Sequence, residues 1–211
     1  MNIFVIGSTG RVAKELIPAL VEEGHHVFAG ARQPEKIVES EFVTPVKFDL
    51  EWEVPEMAQA LKNAEVVYFV AGSRGKALLQ TDLFGAKKAM EATEKAGIGR
   101  YIQLSSANSL QPETWKGTAL EALMDYNIAK FFADHWLMDH TNLEYTILQP
   151  GSLEEAPATG KISLNSGELG KNTIPDVAKT LAVLLTTDKT KNQVIAMRNG
   201  DEEIETAVHA L

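Results

Sequence analysis

Ile3-Phe4-Val5-Ile6-Gly7-Ser8-Thr9-Gly10-Arg11-Val12-Ala13 is the stretch that decides the fold. Its apolar start predicts a buried strand, and the helix-period segment that begins at Val12 predicts a helix. Between them, the G-x-x-G-x-x-A spacing is typical of a turn that approaches a pyrophosphate. Gly7 allows the tight turn, Gly10 allows close approach of the backbone, and Ala13 lets the helix pack on the sheet. The alternative is a structural turn without a ligand.

Apolar runs and helix-period segments alternate along the rest of the chain, which is the pattern of βαβ units around a parallel sheet. Strands are predicted at 3–6, 26–29, 43–48, 66–70, 101–104, 145–148, 161–164 and 193–197. Helices are predicted at 12–22, 55–61, 78–96, 120–139 and 175–185, with a short helix within 34–40 and a last turn or two after Gly200. We therefore predict an α/β fold with a doubly wound parallel sheet between two helical layers. One domain over 1–211 is expected, with a small substrate-side insertion around 151–175.

Composition excludes several classes of protein. The chain of 211 residues is 45% hydrophobic and 23% charged, as in soluble globular proteins, and it contains no cysteine. Disulfides, thiol catalysis and Cys-ligated metal sites are thereby excluded. The net charge of −9 argues against non-specific nucleic-acid binding. Neither a membrane span nor a signal peptide is predicted. We expect a cytoplasmic monomer or homodimer that binds a small-molecule substrate, with no metal, nucleic-acid or membrane partner.

The end of the second predicted strand bears on the choice of cofactor. An acidic residue about 20 positions beyond the glycine motif usually binds the ribose 2′-hydroxyl of NAD. Here the sequence reads Phe28-Ala29-Gly30-Ala31-Arg32, with an arginine and no acid. A guanidinium suits a 2′-phosphate, and Arg11 lies within reach of the same group. NADP is therefore favoured over NAD, the alternative for Arg32 being a solvated surface cation.

Later strand ends add to the predicted nucleotide crevice, because ligands of open α/β sheets lie beyond the carboxyl ends of the strands. Asp49 is expected to accept a hydrogen bond from the adenine amino group, with Leu50 against the ring. The alternative for Asp49 is a turn or cap residue. Ala71-Gly72-Ser73 follows the fourth strand, and its lack of bulk lets the backbone lie against the cofactor. Ser8, Thr9 and Val12 complete the predicted phosphate loop.

Tyr126-Asn127-Ile128-Ala129-Lys130 places a tyrosine and a lysine one turn apart on a predicted helix. A nearby ammonium lowers a phenol pKa from its usual value near 10, so the tyrosine becomes a suitable proton donor for a carbonyl oxygen. Leu104-Ser105-Ser106-Ala107 ends the fifth strand, where a serine hydroxyl is expected to bind the same oxygen. The alternative is a chance spacing on a structural helix.

These motifs together resemble the short-chain dehydrogenase/reductases, and more narrowly their atypical NAD(P)H-binding, NmrA-like group. The resemblance is carried by GSTGRVA at 7–13, LSSA at 104–107, YNIAK at 126–130 and TILQPG at 146–151. It implies a Rossmann fold, NADP and Ser–Tyr–Lys catalysis. By position, Ser106 matches the family serine, with Ser105 as the fallback, and Tyr126 matches the acid/base. Lys130 matches the lysine that also holds the nicotinamide ribose, and Pro150-Gly151 matches the loop that passes the nicotinamide end.

The predicted function is therefore NADP-dependent hydride transfer between nicotinamide and a small carbonyl or alcohol. A non-enzymatic NADP-binding redox sensor is one alternative, since many members of this group have lost the tyrosine. An epimerase, isomerase or dehydratase that uses bound nucleotide transiently is another. Gln149 stands where relatives often carry arginine, and the sequence does not identify the substrate.

Overall fold

The computed structural model describes residues 1–211, which form a nine-stranded sheet, a small two-stranded sheet and flanking helices. The strands are β1 (Asn2–Ile6), β2 (His26–Ala31), β3 (Val43–Lys47), β4 (Val66–Phe69), β5 (Arg100–Leu104), β6 (Glu144–Pro150), β7 (Ser152–Glu154), β8 (Lys161–Leu164), β9 (Lys171–Thr173), β10 (Gln193–Asn199) and β11 (Glu202–Glu203). The α-helices are α1 (Arg11–Glu22), α2 (Val54–Leu61), α3 (Phe84–Lys95), α4 (Met124–His140), α5 (Ile174–Val183) and α6 (Ile204–His209).

The large sheet has the strand order β11-β8-β10-β6-β5-β4-β1-β2-β3. All neighbouring pairs from β10 to β3 run parallel, whereas β8 pairs antiparallel with β10 and with β11. The chain winds outward from β1 in one direction through β2 and β3, and in the other through β4, β5 and β6. The carboxyl ends of these strands consequently form one edge, with the switch point between β1 and β4 at its centre.

Side chains of β1 alternate between two separate hydrophobic cores, which explains its unbroken apolar sequence. Ile3 and Val5 pack in the core that contains α1, α5 and α6. Phe4 and Ile6 pack in the core that contains α2, α3 and α4. The sheet is therefore the middle layer of a three-layer α/β/α architecture, as predicted.

Two predicted long helices begin with a different helical form. The segment predicted at 78–96 starts as a π-helix (Leu78–Leu83) before α3. A Cβ on Gly85 would lie 2.6 Å from the carbonyl oxygen of Gln80, so this wide turn closes against a residue without a side chain. The segment predicted at 120–139 starts as a 3₁₀ helix (Ala119–Leu123) that runs directly into α4.

Other boundaries differ modestly from the sequence prediction. The short helix expected within 34–40 is a single 3₁₀ turn (Pro34–Lys36), and β2 continues to Ala31. Strand β6 extends to Pro150 because β10 pairs with it as far as that residue.

The segment predicted as a substrate-side insertion contributes strands to both sheets. β7 and β9 form the small parallel sheet, while β8 joins the edge of the large one. The buried carboxylate of Asp176 accepts hydrogen bonds from Thr159 N at 3.0 Å and from Gly160 N at 2.9 Å. These bonds attach the loop before β8 to the first turn of α5. None of the helices combines the length and the apolar character that a membrane crossing requires.

Candidate active site

The turn after β1 is fixed by close contacts with two neighbouring strands. Gly7 has φ +95°, and both Gly7 N and Ser8 N donate to the carbonyl oxygen of Gly30 on β2 at 3.1 Å. A Cβ on Gly7 would lie 2.7 Å from the backbone of Ala71 after β4. Only glycine fits this position, for conformational and for steric reasons. The turn therefore lies at the switch point of the sheet.

The N-terminus of α1 has the features of an anion-binding site. Gly10 is the N-cap residue, no side chain caps the helix, and its first turn contains no acidic residue. Its N–H groups and positive dipole therefore remain available at the carboxyl edge of the sheet. Thr9 is exposed beside them, whereas the Ser8 hydroxyl donates to Val5 O at 2.7 Å and stabilises the turn itself. This cradle fits the pyrophosphate of a dinucleotide.

Val12 and Arg11, the other residues of the predicted phosphate loop, differ in their surroundings. Val12 is buried in the core below the turn. Arg11 forms an ion pair of 3.2 Å with Glu155, which follows β7 in the predicted insertion. The pair is largely solvent-exposed, so its contribution to stability is small and the guanidinium can exchange partners.

Two cationic residues, Arg32 and Lys47, lie at the ends of β2 and β3. Arg32 follows β2, is exposed and forms no ion pair. Lys47 lies opposite Ala31 in the strand register, and its ammonium donates to the carbonyl oxygen of Arg32. Lys47 also lacks an acidic partner. Sequence reasoning identified Arg32 but missed Lys47, which only the pairing of β2 with β3 places beside it.

The residues after β3 form a tight turn. Asp49 Oδ1 accepts from Glu51 N at 3.1 Å, which is the turn role weighed as the alternative for this residue. Its other carboxylate oxygen has no protein partner. Leu50 is half-buried and packs close to Gly85 at the start of α3.

The loop Ala71-Gly72-Ser73 after β4 is held by a buried carboxylate that the sequence did not reveal. Asp82, in the π-helix, is fully buried and accepts from Ser73 N at 3.1 Å through Oδ2. Its Oδ1 has no hydrogen-bond partner and lies 3.4 Å from the position of a Cβ on Gly72. The loop thus runs beside the turn after β1, with the carboxyl group of Asp82 beneath it.

Tyr126 and Lys130 are brought together on the first turns of α4. The Lys130 ammonium lies 5.9 Å from the centroid of the Tyr126 ring and donates to Leu104 O, at the end of β5, at 3.1 Å. Lys130 is 3% exposed, whereas Tyr126 is half-buried and lines a surface cavity. The structure therefore joins α4 to the carboxyl end of β5 through the lysine and leaves the tyrosine accessible.

The two serines after β5 have different surroundings. Ser105 is buried and donates to Asp134 at 2.5 Å, whereas Ser106 is half-buried and makes no side-chain hydrogen bond. Ser106 therefore retains a free hydroxyl, which is compatible with the role predicted for it. Asp134 follows Lys130 by one helical turn, a spacing from which its proximity could have been inferred.

Asp134 is the centre of a buried polar network. Its carboxylate also accepts from Ser109 Oγ and Gln103 Nε2, both at 2.5 Å, and Gln149 Nε2 donates to Ser109 at 2.7 Å. Burial raises the pKa of Asp134 above its ordinary value, against the opposing effect of these hydrogen bonds and of the Lys130 charge. The network connects α4 with the ends of β5 and β6.

Pro150 and Gly151 lie at the end of β6, beside the loop that follows β5. Ala107 N donates to Pro150 O at 2.9 Å, and Gly151 N donates to the side-chain oxygen of Asn172 on β9 at 2.7 Å. A Cβ on Gly151 would lie 2.0 Å from Gly170 O, so a side chain is excluded here. These residues border the crevice at the end opposite Arg32.

A doubly wound sheet with an open anion cradle at its switch point defines a Rossmann-type dinucleotide-binding protein. The sequence model of the NAD(P)H-binding family matches residues 7–188, and the chain belongs to that family. The matched range begins at the first glycine of the phosphate turn and includes Tyr126 and Lys130.

Individual relatives extend this finding. The chain is 34% identical to the uncharacterized sugar epimerase YhfK of Bacillus subtilis, with both chains covered completely. It is 47% identical to the oxidoreductase ylbE of Lactococcus lactis, whose crystal structure superposes with a TM-score of 0.98 over 100% of this chain and 96% of that one. A short-chain dehydrogenase/reductase of Veillonella parvula in complex with NADP shares the fold, with 20% identity and a TM-score of 0.75 over 96% of each chain.

Proposed function

We propose that this protein is an NADP-dependent oxidoreductase that interconverts a small carbonyl compound and its alcohol. The observation that carries the proposal is the arrangement on α4. There, a buried lysine ammonium lies 5.9 Å from the ring of Tyr126, and Tyr126 itself opens onto a cavity. A phenol beside a cation is a suitable proton donor to a carbonyl oxygen, and a suitable acceptor in the reverse direction.

Each part of the crevice has a proposed role. Bound NADPH supplies the hydride that reduces the carbonyl carbon. Tyr126 donates its proton to the carbonyl oxygen, so that an alcohol forms, and Ser106 donates a hydrogen bond that orients the same oxygen. Lys130, whose ammonium lies beside the Tyr126 ring, binds the nicotinamide ribose. The N-terminus of α1 binds the pyrophosphate, and the loops at 71–73 and 150–151 border the nicotinamide half.

The preference for NADP over NAD rests on the cations at the ends of β2 and β3. Arg32 and Lys47 are exposed, adjacent and free of acidic partners. An anion at this place gains attraction from both, whereas a ribose 2′-hydroxyl finds no carboxylate there to accept its hydrogen bond. Asp49 and Leu50 are proposed to contact the adenine.

The experiment measures loss of nicotinamide absorbance when NADPH is mixed with a panel of aldehydes, ketones and quinones. Tyr126→Phe removes only a hydroxyl and is expected to lower turnover by about 10²–10⁴-fold, the usual contribution of general acid–base catalysis. NADPH affinity is expected to stay unchanged. Tyr145→Phe is the matched control, because the half-buried Tyr145 hydroxyl makes no hydrogen bond within the protein. An active substrate that Tyr126→Phe converts at full rate would refute the acid/base role.

An epimerase activity is the second candidate, favoured by the description of the Bacillus subtilis relative. The same crevice serves it, but an epimerase restores its nucleotide in every cycle. Isomerisation of a sugar substrate with no net consumption of NADPH would establish it. If the protein is instead a redox sensor, it should bind the nucleotide without turning over any substrate. Tyr126→Phe should then leave nucleotide affinity unchanged.

A further inference from the structure

The cavity beside Tyr126 has a distinctive lining. It measures about 290 Å³ and lies between Gly75 in the loop after β4, Leu78 at the start of the π-helix, and the segment 121–126. Drug-sized ligand sites usually measure about 300–1,000 Å³, so this cavity suits a small molecule. Because Tyr126 forms part of the wall, a ligand held here is adjacent to the proposed proton donor.

Most of the wall is apolar. Leu78, Leu123 and Met124 contribute side chains, and Leu123 is 49% exposed although it is a large hydrophobic residue. Leu79, next to the cavity in sequence, is 68% exposed. An apolar ligand that covers this surface gains affinity by removing it from water.

The charged groups in the wall are all acidic. Glu121 and Asp125 line the cavity, and neither forms an ion pair. The cations nearest in sequence, Arg74 and Lys76, are exposed on either side of Gly75 and do not line the cavity. Lys130, whose ammonium donates to Leu104 O and lies 5.9 Å from the Tyr126 ring, does not line the cavity either.

The N-terminus of α4 does not offset the charges of Glu121 and Asp125. The 3₁₀ helix Ala119–Leu123 runs directly into α4, and Thr118 caps it by accepting from Leu120 N at 3.3 Å. No isolated set of first-turn N–H groups therefore faces the cavity, in contrast to the N-terminus of α1. The acidic Asp125 also lies in the first turn of α4.

We infer that this cavity selects a small substrate with an apolar body that is neutral or positively charged, and that it rejects carboxylated, phosphorylated and nucleotide-linked substrates. The inference rests on the proposed function and narrows its substrate class. A phosphate or carboxylate would have to enter beside Glu121 and Asp125, and no cation lines the cavity. A nucleoside-diphosphate sugar meets the same repulsion.

The test measures binding rather than turnover, by isothermal titration of the protein saturated with NADPH, which cannot oxidise an alcohol. Three para-substituted benzyl alcohols serve as probes: the neutral para-tert-butylbenzyl alcohol, the anionic para-(hydroxymethyl)benzoate and the cationic para-(trimethylammonio)benzyl alcohol. The neutral and cationic alcohols are expected to bind at least roughly tenfold more tightly than the carboxylate, a ratio that modest electrostatic repulsion produces. Equal or tighter binding of the carboxylate overturns the inference, as does failure of all three to bind.

Variants locate the source of the selectivity. Asp125→Asn is expected to narrow the difference between the cationic and anionic probes, and Leu123→Arg at its exposed position is expected to reverse it. Asp201→Asn, an exposed acid outside the cavity wall and without an ion pair, is the matched control and should change nothing. Selectivity that Asp125→Asn and Leu123→Arg leave untouched contradicts the assignment to this cavity.

Failure of the inference and failure of the proposed function are distinguishable. If the alcohols bind in the expected order but no aldehyde oxidises NADPH, the cavity assignment stands and the oxidoreductase proposal fails. If aldehydes are reduced but the anionic probe binds best, the proposed function stands and the substrate class is wrong.

Discussion

The hydroxyl of Ser105 donates a 2.5 Å hydrogen bond to the carboxylate of Asp134, and both side chains are buried. Asp134 projects from α4 one turn beyond Lys130, so this bond fastens the end of β5 to the helix that presents Tyr126. An uncompensated buried carboxylate is costly, and three side-chain donors offset that cost here. The hydroxyl of Ser105 is thus engaged in this buried network, whereas the hydroxyl of Ser106 makes no hydrogen bond.

Ser105→Ala and Ser106→Ala are therefore expected to have opposite effects. Ser105→Ala removes one donor from Asp134 and should lower the free energy of unfolding by about 1–3 kcal/mol, as loss of a hydrogen bond to a buried charge does. Ser106→Ala should change stability by less than about 0.5 kcal/mol, as is usual away from buried networks, but lower turnover. Urea unfolding and steady-state rates of both variants check this. If Ser105→Ala were stable but inactive, Ser105 would be the serine that binds the substrate oxygen, and Ser106 would not.

The sequence was sufficient to predict the parallel strands and the turn after β1. Ile3 to Ile6 and Val66 to Phe69 are apolar on both faces, and such short runs with turn signals on either side have few other solutions. The turn at Gly7 and Gly10 could be predicted because its conformation depends on backbone geometry within a single strand–turn–helix unit. Local patterns predict local structure well.

What the sequence did not reveal depends on contacts between distant segments. Lys47 approaches Arg32 only because β2 and β3 pair in one register, and Asp82 lies under Ser73 only because a π-helix turns it inward. The pairing of β7 with β9 is equally invisible, since each strand is too short for a periodic signal. The proximity of Asp134 to Lys130 could have been predicted, since it follows Lys130 by one helical turn. Its three hydrogen-bond donors could not, because they come from other elements.

Gly10→Val is expected to abolish nucleotide binding without unfolding the protein. Gly10 has φ −73°, which valine adopts readily, and a Cβ there would lie 3.0 Å from Gly7 O, a tight contact that a small shift relieves. The added methyl groups would occupy the space in front of the N–H groups of α1. Isothermal titration with NADPH measures the effect, and thermal unfolding verifies the fold.

Gly99→Val is the control for this variant, since a Cβ at Gly99 meets no atom within 4 Å. Its NADPH affinity should match that of the unmodified protein. Gly7→Ala gives a contrasting result: with φ +95° and a Cβ position 2.7 Å from Ala71, it should destabilise the fold itself. Full nucleotide affinity in a folded Gly10→Val protein would place the pyrophosphate elsewhere.

Arg32→Ala and Lys47→Ala should each weaken NADPH binding while leaving NADH binding nearly unchanged. A hydrogen bond to a charged group contributes about 1.5–3 kcal/mol, so each variant is expected to lose roughly 10- to 100-fold in NADPH affinity. Competition with 2′,5′-ADP and with 5′-AMP isolates the 2′-phosphate contribution. Lys62→Ala, an exposed lysine without an ion pair, is the control. Equal affinities of the unmodified protein for NADPH and NADH would rule out this assignment.

Acidification should remove a stabilising contribution from Asp176. Burial by itself raises the pKa of this carboxyl, but the hydrogen bonds from Thr159, Gly160 and Thr173 outweigh burial and hold the pKa below its ordinary value. A carboxyl with a lowered folded-state pKa stabilises the protein above its unfolded-state pKa of about 3.9, and this contribution is lost as the pH falls through the folded-state pKa.

The measurement is the free energy of urea unfolding of the unmodified protein and of Asp176→Asn, between about pH 7 and pH 3. The unmodified protein should be the more stable at neutral pH, because the amide accepts fewer of the bonds from Thr159 and Gly160. The difference should shrink below about pH 4, as the carboxyl of the unmodified protein becomes protonated and loses the same advantage. Asp201→Asn, at an exposed position, should show no such pH-dependent difference. A difference in unfolding free energy that stays constant over the whole pH range would contradict this prediction. It would mean that the charge of Asp176 does not hold the loop before β8 in place.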